Sequence, residues 1–464
     1  MRMSEFTKWG IILAGVWILA SIRARAVTES KEIGTGDQKS GSSSSPSRRR
    51  FLQQAGVVTG ALGALTTQIQ PVHAASDNTI RVGLIGCGGR GTGAAVNAMN
   101  ADPSVRIVAL ADLFGESMRN CRQSLGKRYP EQFLVTDEEC FEGFDGYKDL
   151  LASEVDVVLL ASPPHYRPDH IEAAVEAGKE IFCEKPVATD AVGVRRVEEA
   201  CKLADQKGLN VVSGLCWRYD EGLKQTIDQI MDGAIGTVVS AQANYLTNPV
   251  WVRPRRDGES EMEYQCRNWY YFNWLSGDHI VEQFIHSLDK ALWLHEDVPP
   301  VRAYGLGGRQ CRSDLTQGDI YDHFSVVYEW ANGTRTYAHT RQIPGCFNET
   351  EDFVFGTDGR ATLIKHQIDG LKPWKFRGEK VQMHQAEQNE FFKAIRGKRP
   401  RINNGEYMCR STLLAILGRE VCYSGRSMKY DEIANSPQDL RPDAYAWGDA
   451  PQVEVPRPGD YRHP

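Results

Sequence analysis

The feature that most constrains this chain is an apolar run that breaks into a glycine-rich turn, Thr79 to Gly91. Ile80 to Ile85 reads as a buried strand, and the residues from Thr92 onward read as a helix. The turn between them consists of Gly86, Cys87, Gly88, Gly89, Arg90 and Gly91. Such a turn forms a cradle for a diphosphate, because backbone N–H groups and the helix dipole face the anion.

The glycines of the turn have separate roles, and a later carboxylate extends the pattern. Gly86 allows the tight turn, Gly88 lets the backbone approach the diphosphate, and Gly91 lets helix and strand pack closely. A second strand ends at Asp112, 21 residues beyond Gly91, where a carboxylate accepts hydrogen bonds from ribose hydroxyls. Because its charge repels a 2′-phosphate, we predict NAD in preference to NADP.

Alternating strands and helices over residues 78–215 predict an α/β fold, an N-terminal Rossmann domain with a parallel sheet. Val155 to Ala161 is continuously apolar, as expected for a parallel strand that is covered on both faces. Ligands bind at the carboxyl ends of such strands. The predicted cofactor-binding residues at or near these ends are Ser162, Pro163, His165, His170, Glu184 and Lys185.

The order of these residues resembles the Gfo/Idh/MocA oxidoreductase family, to which glucose–fructose oxidoreductase and inositol dehydrogenase belong. The most specific mark is Glu184-Lys185-Pro186 at a strand end; the others are Gly86 to Gly91, Asp112, Ser162-Pro163 and His170. The resemblance implies that Lys185 lies between nicotinamide and substrate, where it positions or deprotonates the reacting hydroxyl. It also implies a homodimer or homotetramer, joined through the outer face of a second-domain sheet.

Residues 216–440 are predicted to form an α+β domain with an open, largely antiparallel sheet, which carries the substrate site and the oligomer contact. Five segments between Val301 and Lys365 read as strands. Thr247 to Tyr271 is rich in Trp, Tyr, Arg and Pro. It reads either as a loop over the substrate pocket, whose aromatic rings stack on sugars, or as an oligomer contact or self-packed loop. Residues 441–464 are predicted to form a surface arm.

Trp274 to Asp289 reads as one helix that carries four polar residues, His279, Glu282, His286 and Asp289, on one face. Glu282 lies one turn from His286, so its carboxylate can orient the imidazole for proton transfer. The segment resembles the family's motif Asp-x-x-x-His-x-x-Asp, with Glu282 in place of the first aspartate. The alternatives are a buried, satisfied histidine, or a metal held by His279, Glu282 and His286; because the family usually works without metal, we predict none.

These residues give a leading hypothesis, an NAD(P)-dependent oxidoreductase that acts on a secondary hydroxyl of a sugar, polyol or sugar derivative. Lys185 and His286 form the predicted acid/base pair, and Glu282 orients the histidine. Arg218 is assigned to the cofactor; the predicted substrate contacts are Tyr219, Trp274, His279 and Asp289. One alternative is an NAD-dependent glycosidase that oxidises its sugar transiently, with tightly bound NAD, and another is a binding module without turnover.

The first 75 residues are predicted to lie outside the fold. A Ser-rich stretch precedes Arg48-Arg49-Arg50-Phe51-Leu52, a weakly apolar stretch and Val72-His73-Ala74, and this order resembles a twin-arginine export signal. The resemblance implies the twin-arginine export machinery as a partner, a periplasmic or extracytoplasmic location, and a nucleotide loaded before export. Trp9 to Ile22 is short for a membrane span. It is either a first anchor or lies upstream of the true translation start, which we favour; the mature chain is predicted to have no integral membrane domain.

Composition excludes several other classes of protein. The net charge is −6, and the body of the chain has no long basic run, so we predict no nucleic-acid partner. The 11 cysteines are scattered, odd in number and without a Cys-x-x-Cys pair. The sequence therefore predicts neither a disulfide framework nor a zinc site of paired cysteines.

Overall fold

The first domain contains a six-stranded parallel sheet, seen in a computed structural model that describes residues 78–464. Its strands are β1 (Ile80–Ile85), β2 (Val105–Asp112), β3 (Cys140–Glu142), β4 (Val157–Leu160), β5 (Glu180–Cys183) and β6 (Val211–Ser213). Its helices are α1 (Gly89–Ala101), α2 (Gly115–Arg128), α3 (Gly146–Ala152), α4 (Arg167–Glu176) and α5 (Ala191–Lys207). The strand order β3-β2-β1-β4-β5-β6 confirms the predicted Rossmann sheet.

The order of the strands determines where the ligand-binding edge of the first sheet lies. The chain runs outward on one side of β1 through β2 and β3, and then returns to the other side at β4. The crevice of an open parallel sheet lies at this switch point, outside the carboxyl ends of the strands. All four residues of β4 are fully buried, which explains why the strand reads as a continuous apolar run.

The second domain contains a nine-stranded sheet with the order β14-β13-β12-β11-β7-β10-β9-β8-β15. Only the β7–β10 pair is parallel, so the prediction of a largely antiparallel sheet is confirmed. The strands are β7 (Val238–Thr247), β8 (Arg302–Gly308), β9 (His323–Glu329), β10 (Arg335–Gln342), β11 (Glu349–Gly356), β12 (Gly359–Thr362), β13 (Gln367–Gly370), β14 (Trp374–Lys375) and β15 (Met428–Lys429).

The remaining helices pack on this sheet or between the two domains. They are α6 (Glu221–Met231), α7 (Glu261–Arg267), α8 (Asn273–Ser276), α9 (His279–Glu282), α10 (Ile285–Trp293), α11 (Met383–Ile395), α12 (Gly405–Ser424) and α13 (Tyr430–Ala434). Helix α7 lies inside the stretch that the sequence favoured as a loop, where Ser260 and Glu263 form a capping box.

The prediction of one helix over Trp274 to Asp289 is wrong. Gly277 and Asp278 both have positive φ, 78° and 71°, and this turn separates α8 from α9. Asp278 then caps α9 by accepting a hydrogen bond from the backbone of His279. At the other end of α9, the N–H groups of Gln283 and Phe284 both donate to the carbonyl of His279, which interrupts the helix before α10. The helical spacing therefore does not continue from α9 into α10.

Helix α12 is the element on which both domains pack. It contacts α5 of the first domain, and it contacts α10 and β8 of the second. Two consecutive charged residues of α12, Arg419 and Glu420, are fully buried and joined at 2.9 Å. A buried ion pair persists only where its remaining donors and acceptors are satisfied. Here they are, because Arg419 also donates to Thr189 and Gln438.

Residues 435–464, which we call the C-terminal arm, form no helix or strand and end on the same buried pair. The hydroxyl of Tyr461 donates to Glu420 Oε2 at 3.0 Å, and His463 Nδ1 lies 2.8 Å from the same oxygen. Burial alone raises the pKa of Glu420, but Arg419 and His463 together lower it from 4.5 to about 2. The arm is thus tied to the core of the molecule through one carboxylate.

The leader was predicted on residues 1–75, together with the twin-arginine motif and the apolar run Trp9 to Ile22, and it lies outside the described residues. Within residues 78–464, no helix has the length and apolar character to cross a membrane. The predicted domain boundaries stay predictions.

We predict that Glu420→Gln lowers the free energy of unfolding at pH 7 by about 3 kcal/mol, since it leaves the Arg419 charge buried without its partner. The pKa of Glu420 is lowered in the folded state, so its contribution is complete above pH 4.5 and is lost as the pH falls towards 2. Denaturant unfolding at pH 7 and pH 4 measures both effects. Glu406→Gln is the matched control on α12, because Glu406 is 76% exposed; an equal loss in both variants would contradict the role of the buried pair.

Candidate active site

The glycine turn ends in an open helix N-terminus. Gly86 has φ of 95°, and a Cβ there would collide with the backbone of Ala161 and Ser162, so the tight turn requires glycine. In contrast, a Cβ on Gly88 or Gly89 would meet nothing within 4 Å. Gly88 caps α1 without a side-chain hydrogen bond, and the first turn of α1 carries no acid. Gly88 and Gly89 are exposed, and the first N–H groups of a helix have no partner within it, so this N-terminus offers donors to a diphosphate.

Asp112 is fixed at the end of β2 beside this cradle. Its Oδ2 accepts from the backbone of Cys87 at 2.7 Å, and its Oδ1 accepts from the backbone of Phe114 at 2.9 Å. Burial raises the pKa of Asp112. The two oxygens offer about four acceptor sites, of which Cys87, Phe114 and the Ser117 hydroxyl take three, and the residue stays partly exposed. The carboxylate is therefore held in place with acceptor capacity left for ribose hydroxyls.

The two histidines after β4 are paired within the fold. Ser162 Oγ lies 3.0 Å from His170 Nδ1, and the His170 ring packs against Tyr147 at 4.4 Å. His165 Nε2 lies 2.8 Å from the hydroxyl of Tyr445, which belongs to the C-terminal arm. Burial lowers the pKa of His165 to about 4 and that of His170 to about 3, so both rings are neutral at pH 7. Pro163 precedes the single helical turn that carries His165.

Lys185 and Glu282 meet across the domain boundary. Lys185 Nζ, at the carboxyl end of β5, lies 3.0 Å from Glu282 Oε1 and also donates to the backbone carbonyl of Glu282. The two side chains are 12% and 14% exposed, so the ion pair is largely shielded from water. Two residues that sequence analysis assigned to catalysis are thus brought together by elements of different domains. The predicted roles themselves stay predictions.

Glu184, the neighbour of Lys185, binds the glycine turn to the end of β5. Its carboxylate accepts from Arg90 Nε, so the second residue of α1 is joined to the end of β5. Arg90 Nη2 also lies 3.4 Å from Glu387 on α11. Burial and the neighbouring Glu184 raise the pKa of Glu387 well above its usual value. One guanidinium therefore faces two buried carboxyl groups beside the glycine turn.

His286 lies on α10, and the charges of Lys185 and Arg90 act on its ring. These surroundings favour the neutral form of the imidazole. Burial, and then the positive charges of Lys185 and Lys290, hold the pKa of His286 well below its usual value. Its Nδ1 is buried and finds no hydrogen-bond partner among the described residues. A neutral imidazole with a free ring nitrogen is able to accept a proton. Glu282 pairs with Lys185, and the structure shows no bond from it to His286.

Three of the predicted contact residues are already paired inside the second domain. His279 is fully buried, with Nδ1 2.9 Å from Asp278, away from His286 on the separate helix α10. The carboxylate of Asp289 accepts from the guanidinium of Arg218 at 2.8 to 3.0 Å. Arg218 also donates to Asp297 at 3.0 Å and lies over the Tyr407 ring. Arg218 was predicted to bind the cofactor. In the structure, Nε, Nη1 and Nη2 of Arg218 all bind these two carboxylates.

Tyr219 and Trp274 are likewise satisfied within the fold. The Tyr219 hydroxyl donates to Asn404 at 3.0 Å, and Trp274 Nε1 donates to Gln265 at 2.6 Å. Trp274 is buried and meets the His165 ring edge-on at 4.8 Å. Their polar atoms are therefore engaged in holding the walls of the crevice.

The sequence did not predict that α11 contributes residues to the site. This helix packs on α1, and Gln385 accepts from Asn97 at 3.0 Å. Together with Cys216 it forms a group, Cys216, His384 and Glu387, whose potential metal-ligand atoms lie within 4.8 Å of one another. His384 and Glu387 lie one turn apart on α11, but Cys216 is far from them in the chain, so the three form no spacing motif. Glu387 already has Arg90 as a cationic partner. Burial raises the pKa of the Cys216 thiol, which therefore keeps its proton. Neither group needs a metal ion to balance its charge.

Two family models match the chain. The description "Oxidoreductase family, NAD-binding Rossmann fold" matches residues 80–215. The description "Oxidoreductase family, C-terminal alpha/beta domain" matches residues 227–408. Together they cover the first domain and the second domain as far as the start of α12.

Curated relatives include a dTDP-3,4-didehydro-2,6-dideoxy-alpha-D-glucose 3-reductase of Actinomadura kijaniata, 29% identical over 38% of this chain and 48% of the relative. An inositol 2-dehydrogenase of Agrobacterium fabrum is 29% identical over 64% of this chain and 81% of the relative. A glycosyl hydrolase family 109 protein of Shewanella amazonensis is 23% identical over 64% of this chain and 60% of the relative. The match thus spans about half the length of the first of these relatives.

A solved structure shares the fold. The WlbA dehydrogenase from Bordetella pertussis, in complex with NADH and UDP-GlcNAcA, superposes with a TM-score of 0.59 at 19% identity. The superposition covers 76% of this chain and 98% of that one. At this identity the likeness is evidence for the fold.

We predict that Asp112→Ala weakens NAD binding by about 10- to 100-fold, since hydrogen bonds to a charged group contribute about 1.5–3 kcal/mol. NADP binding should fall less, because the same change removes repulsion of the 2′-phosphate. Isothermal titration with both nucleotides measures the difference. Glu116→Gln, an exposed acid on the first turn of α2, is the control; equal losses for NAD and NADP in Asp112→Ala would contradict ribose recognition.

Proposed function

Because the chain belongs to the Gfo/Idh/MocA oxidoreductase family, we propose that it transfers a hydride between NAD(P) and a secondary hydroxyl of a sugar, polyol or sugar derivative. The first domain is an NAD-binding Rossmann fold. The observation that carries the proposal is the shielded Lys185–Glu282 ion pair at the ligand edge of that fold, one strand beyond β4. The charge of Lys185 also helps to keep His286 neutral.

The bound nucleotide supplies the hydride acceptor or donor, and this chain's residues manage the proton. The neutral ring of His286 accepts the hydroxyl proton during oxidation and returns it during reduction. The ammonium of Lys185 stabilises the negative charge that develops on the substrate oxygen. Glu282 holds the ammonium at that place through both its carboxylate and its backbone carbonyl.

Recognition of NAD in preference to NADP belongs to the same proposal. Asp112 supports it, because a carboxylate fixed by two backbone N–H groups is a preorganised acceptor for ribose hydroxyls. The N–H groups at the N-terminus of α1, beside the exposed Gly88 and Gly89, hold the diphosphate.

We predict that Lys185→Ala lowers kcat/KM by about 10³-fold, since positioned proton-transfer and charge-stabilising groups contribute factors of 10² to 10⁴. The dissociation constant for NAD should change by less than about 3-fold, because Lys185 acts on the reacting hydroxyl. Steady-state kinetics and nucleotide titration separate the two effects. Lys179→Ala is the matched control, since Lys179 precedes β5 at the opposite edge of the sheet; full activity of Lys185→Ala would remove the catalytic assignment.

A second candidate function is an NAD-dependent glycosidase, in which a transient oxidation permits elimination of the aglycone. It is favoured by the relative named glycosyl hydrolase family 109 protein. Release of nitrophenol from a nitrophenyl glycoside without added NAD supports this candidate. Net formation of NADH from a free sugar or polyol supports the dehydrogenase, and the absence of both reactions over a broad substrate panel would contradict both.

Assembly through the outer face of the second sheet also belongs to the proposal. Neighbouring strands place four exposed apolar side chains on that face: Tyr304, Leu306, Tyr337 and Phe355. Apolar patches of this kind mark protein contacts. Native mass spectrometry should show a dimer or tetramer, and a monomer at micromolar concentration would contradict this part.

Export by the twin-arginine route completes the proposal. Its support is the motif Arg48-Arg49-Arg50-Phe51-Leu52 ahead of a weakly apolar stretch. Replacement of Arg48 and Arg49 by lysine should retain the protein in the cytoplasm, as cell fractionation would show; unchanged export would contradict this route.

A further inference from the structure

The C-terminal arm crosses from one domain to the other and back. It leaves the core near Gln438, and the N–H of Leu440 donates to Asp190 at the start of α5. Further along, the carbonyls of Gly448 and Pro451 accept hydrogen bonds from Met262 and Gln265 of α7. It then returns to α12, where Tyr461 and His463 bind Glu420. The middle of the arm is therefore held at both ends.

The middle of the arm lies on three loops of the Rossmann domain. The ring of Trp447 lies 4.8 Å from Phe144, after β3, and 5.7 Å from Phe114, after β2. The hydroxyl of Tyr445 lies 2.8 Å from His165 Nε2, after β4. All three loops follow the carboxyl ends of neighbouring or next-neighbouring strands. The arm thus spans the ligand edge across the switch point, with Trp447 on the β2 side and Tyr445 on the β4 side.

This is the side on which the adenosine half of a dinucleotide is expected. Asp112 marks the ribose position, and its Oδ1 binds the N–H of Phe114, the residue that Trp447 contacts. Although Trp447 makes two ring contacts, 46% of its surface stays exposed. An aromatic side chain with a free face beside a nucleotide crevice is suited to pack against a base.

We propose that Tyr445 and Trp447 of the C-terminal arm form the outer wall of the adenosine subsite and retain the nucleotide there. The proposal deepens the proposed function and rests on it for the nature of the nucleotide. Trp447 supplies the apolar face, and the Tyr445–His165 hydrogen bond fixes the arm to the loop after β4. The diphosphate cradle itself stays open, because Gly88 and Gly89 face free space.

The experiment compares nucleotide dissociation in the full-length protein and its variants. NADH is bound, excess NAD is added, and the loss of NADH fluorescence gives the dissociation rate. Trp447→Ala should raise this rate by about 3- to 10-fold, since an aromatic contact contributes about 0.5–1.5 kcal/mol beyond its buried area. Trp447→Phe keeps an aromatic face and should lie between the variant and the parent.

The adenosine half is separated from the nicotinamide half with two probes. Titration with ADP should show the same weakening in Trp447→Ala as NADH does, whereas nicotinamide mononucleotide should bind equally to variant and parent. Phe347→Ala is the control, because Phe347 is also an exposed aromatic side chain and lies on the turn between β10 and β11. Thermal unfolding of each variant reports whether the fold is retained, and Trp447→Phe keeps the test decisive if the alanine variant unfolds.

The outcomes separate this proposal from the proposed function. A parent protein that binds no dinucleotide overturns the proposed function. A parent that binds NADH, with an unchanged or slower dissociation in Trp447→Ala, overturns the role of the arm alone. Tighter ADP binding in the variant also overturns it, since the arm would then obstruct the subsite.

Discussion

The ion pair between Lys185 and Glu282 is the contact on which the candidate site depends. An ammonium that is only 12% exposed needs a partner, since the cost of removing it from water is several kcal/mol. That partner comes from α9 of the second domain, so the corner around β5 is complete only when the two domains are docked. Arg90 repeats this arrangement, because it joins α1 to Glu387 on α11. Docking of the domains and assembly of the site are therefore one event.

Local patterns in the sequence predicted the first domain well. The glycine turn, the strand that ends at Asp112 and the tripeptide at the end of β5 each depend on neighbouring residues, and the structure places them along one edge of a parallel sheet. Helical spacing failed between His279 and Asp289, because it assumes unbroken helical dihedrals. Ser276-Gly277-Asp278 is a turn signal, and its positive φ values show why it outweighed the apolar periodicity.

Other parts of the site depend on pairings that one sequence does not reveal. Arg218 and Asp289 are 71 residues apart, and either could have faced a ligand. Their mutual bonds, with Asp297 and Ser411 as further partners, make them structural. Glu387 is similar: nothing near it in the chain predicts that it shares Arg90 with Glu184. The sequence around a charged residue does not show whether that residue contacts a ligand or forms a buried ion pair. Its partner is known only from the fold.

A retained nucleotide has a consequence for the chemistry. If NAD stays bound, the hydride taken from one substrate has to leave through the same site before the next turnover. A second carbonyl substrate can accept it, or the same sugar can take it back after elimination of a leaving group. In both cases the nucleotide ends each cycle as it began, so the oxidoreductase and the glycosidase differ in what happens between two hydride transfers. The role that we propose for His286 suits both reactions, because a neutral ring can accept a proton in the first transfer and return it in the second.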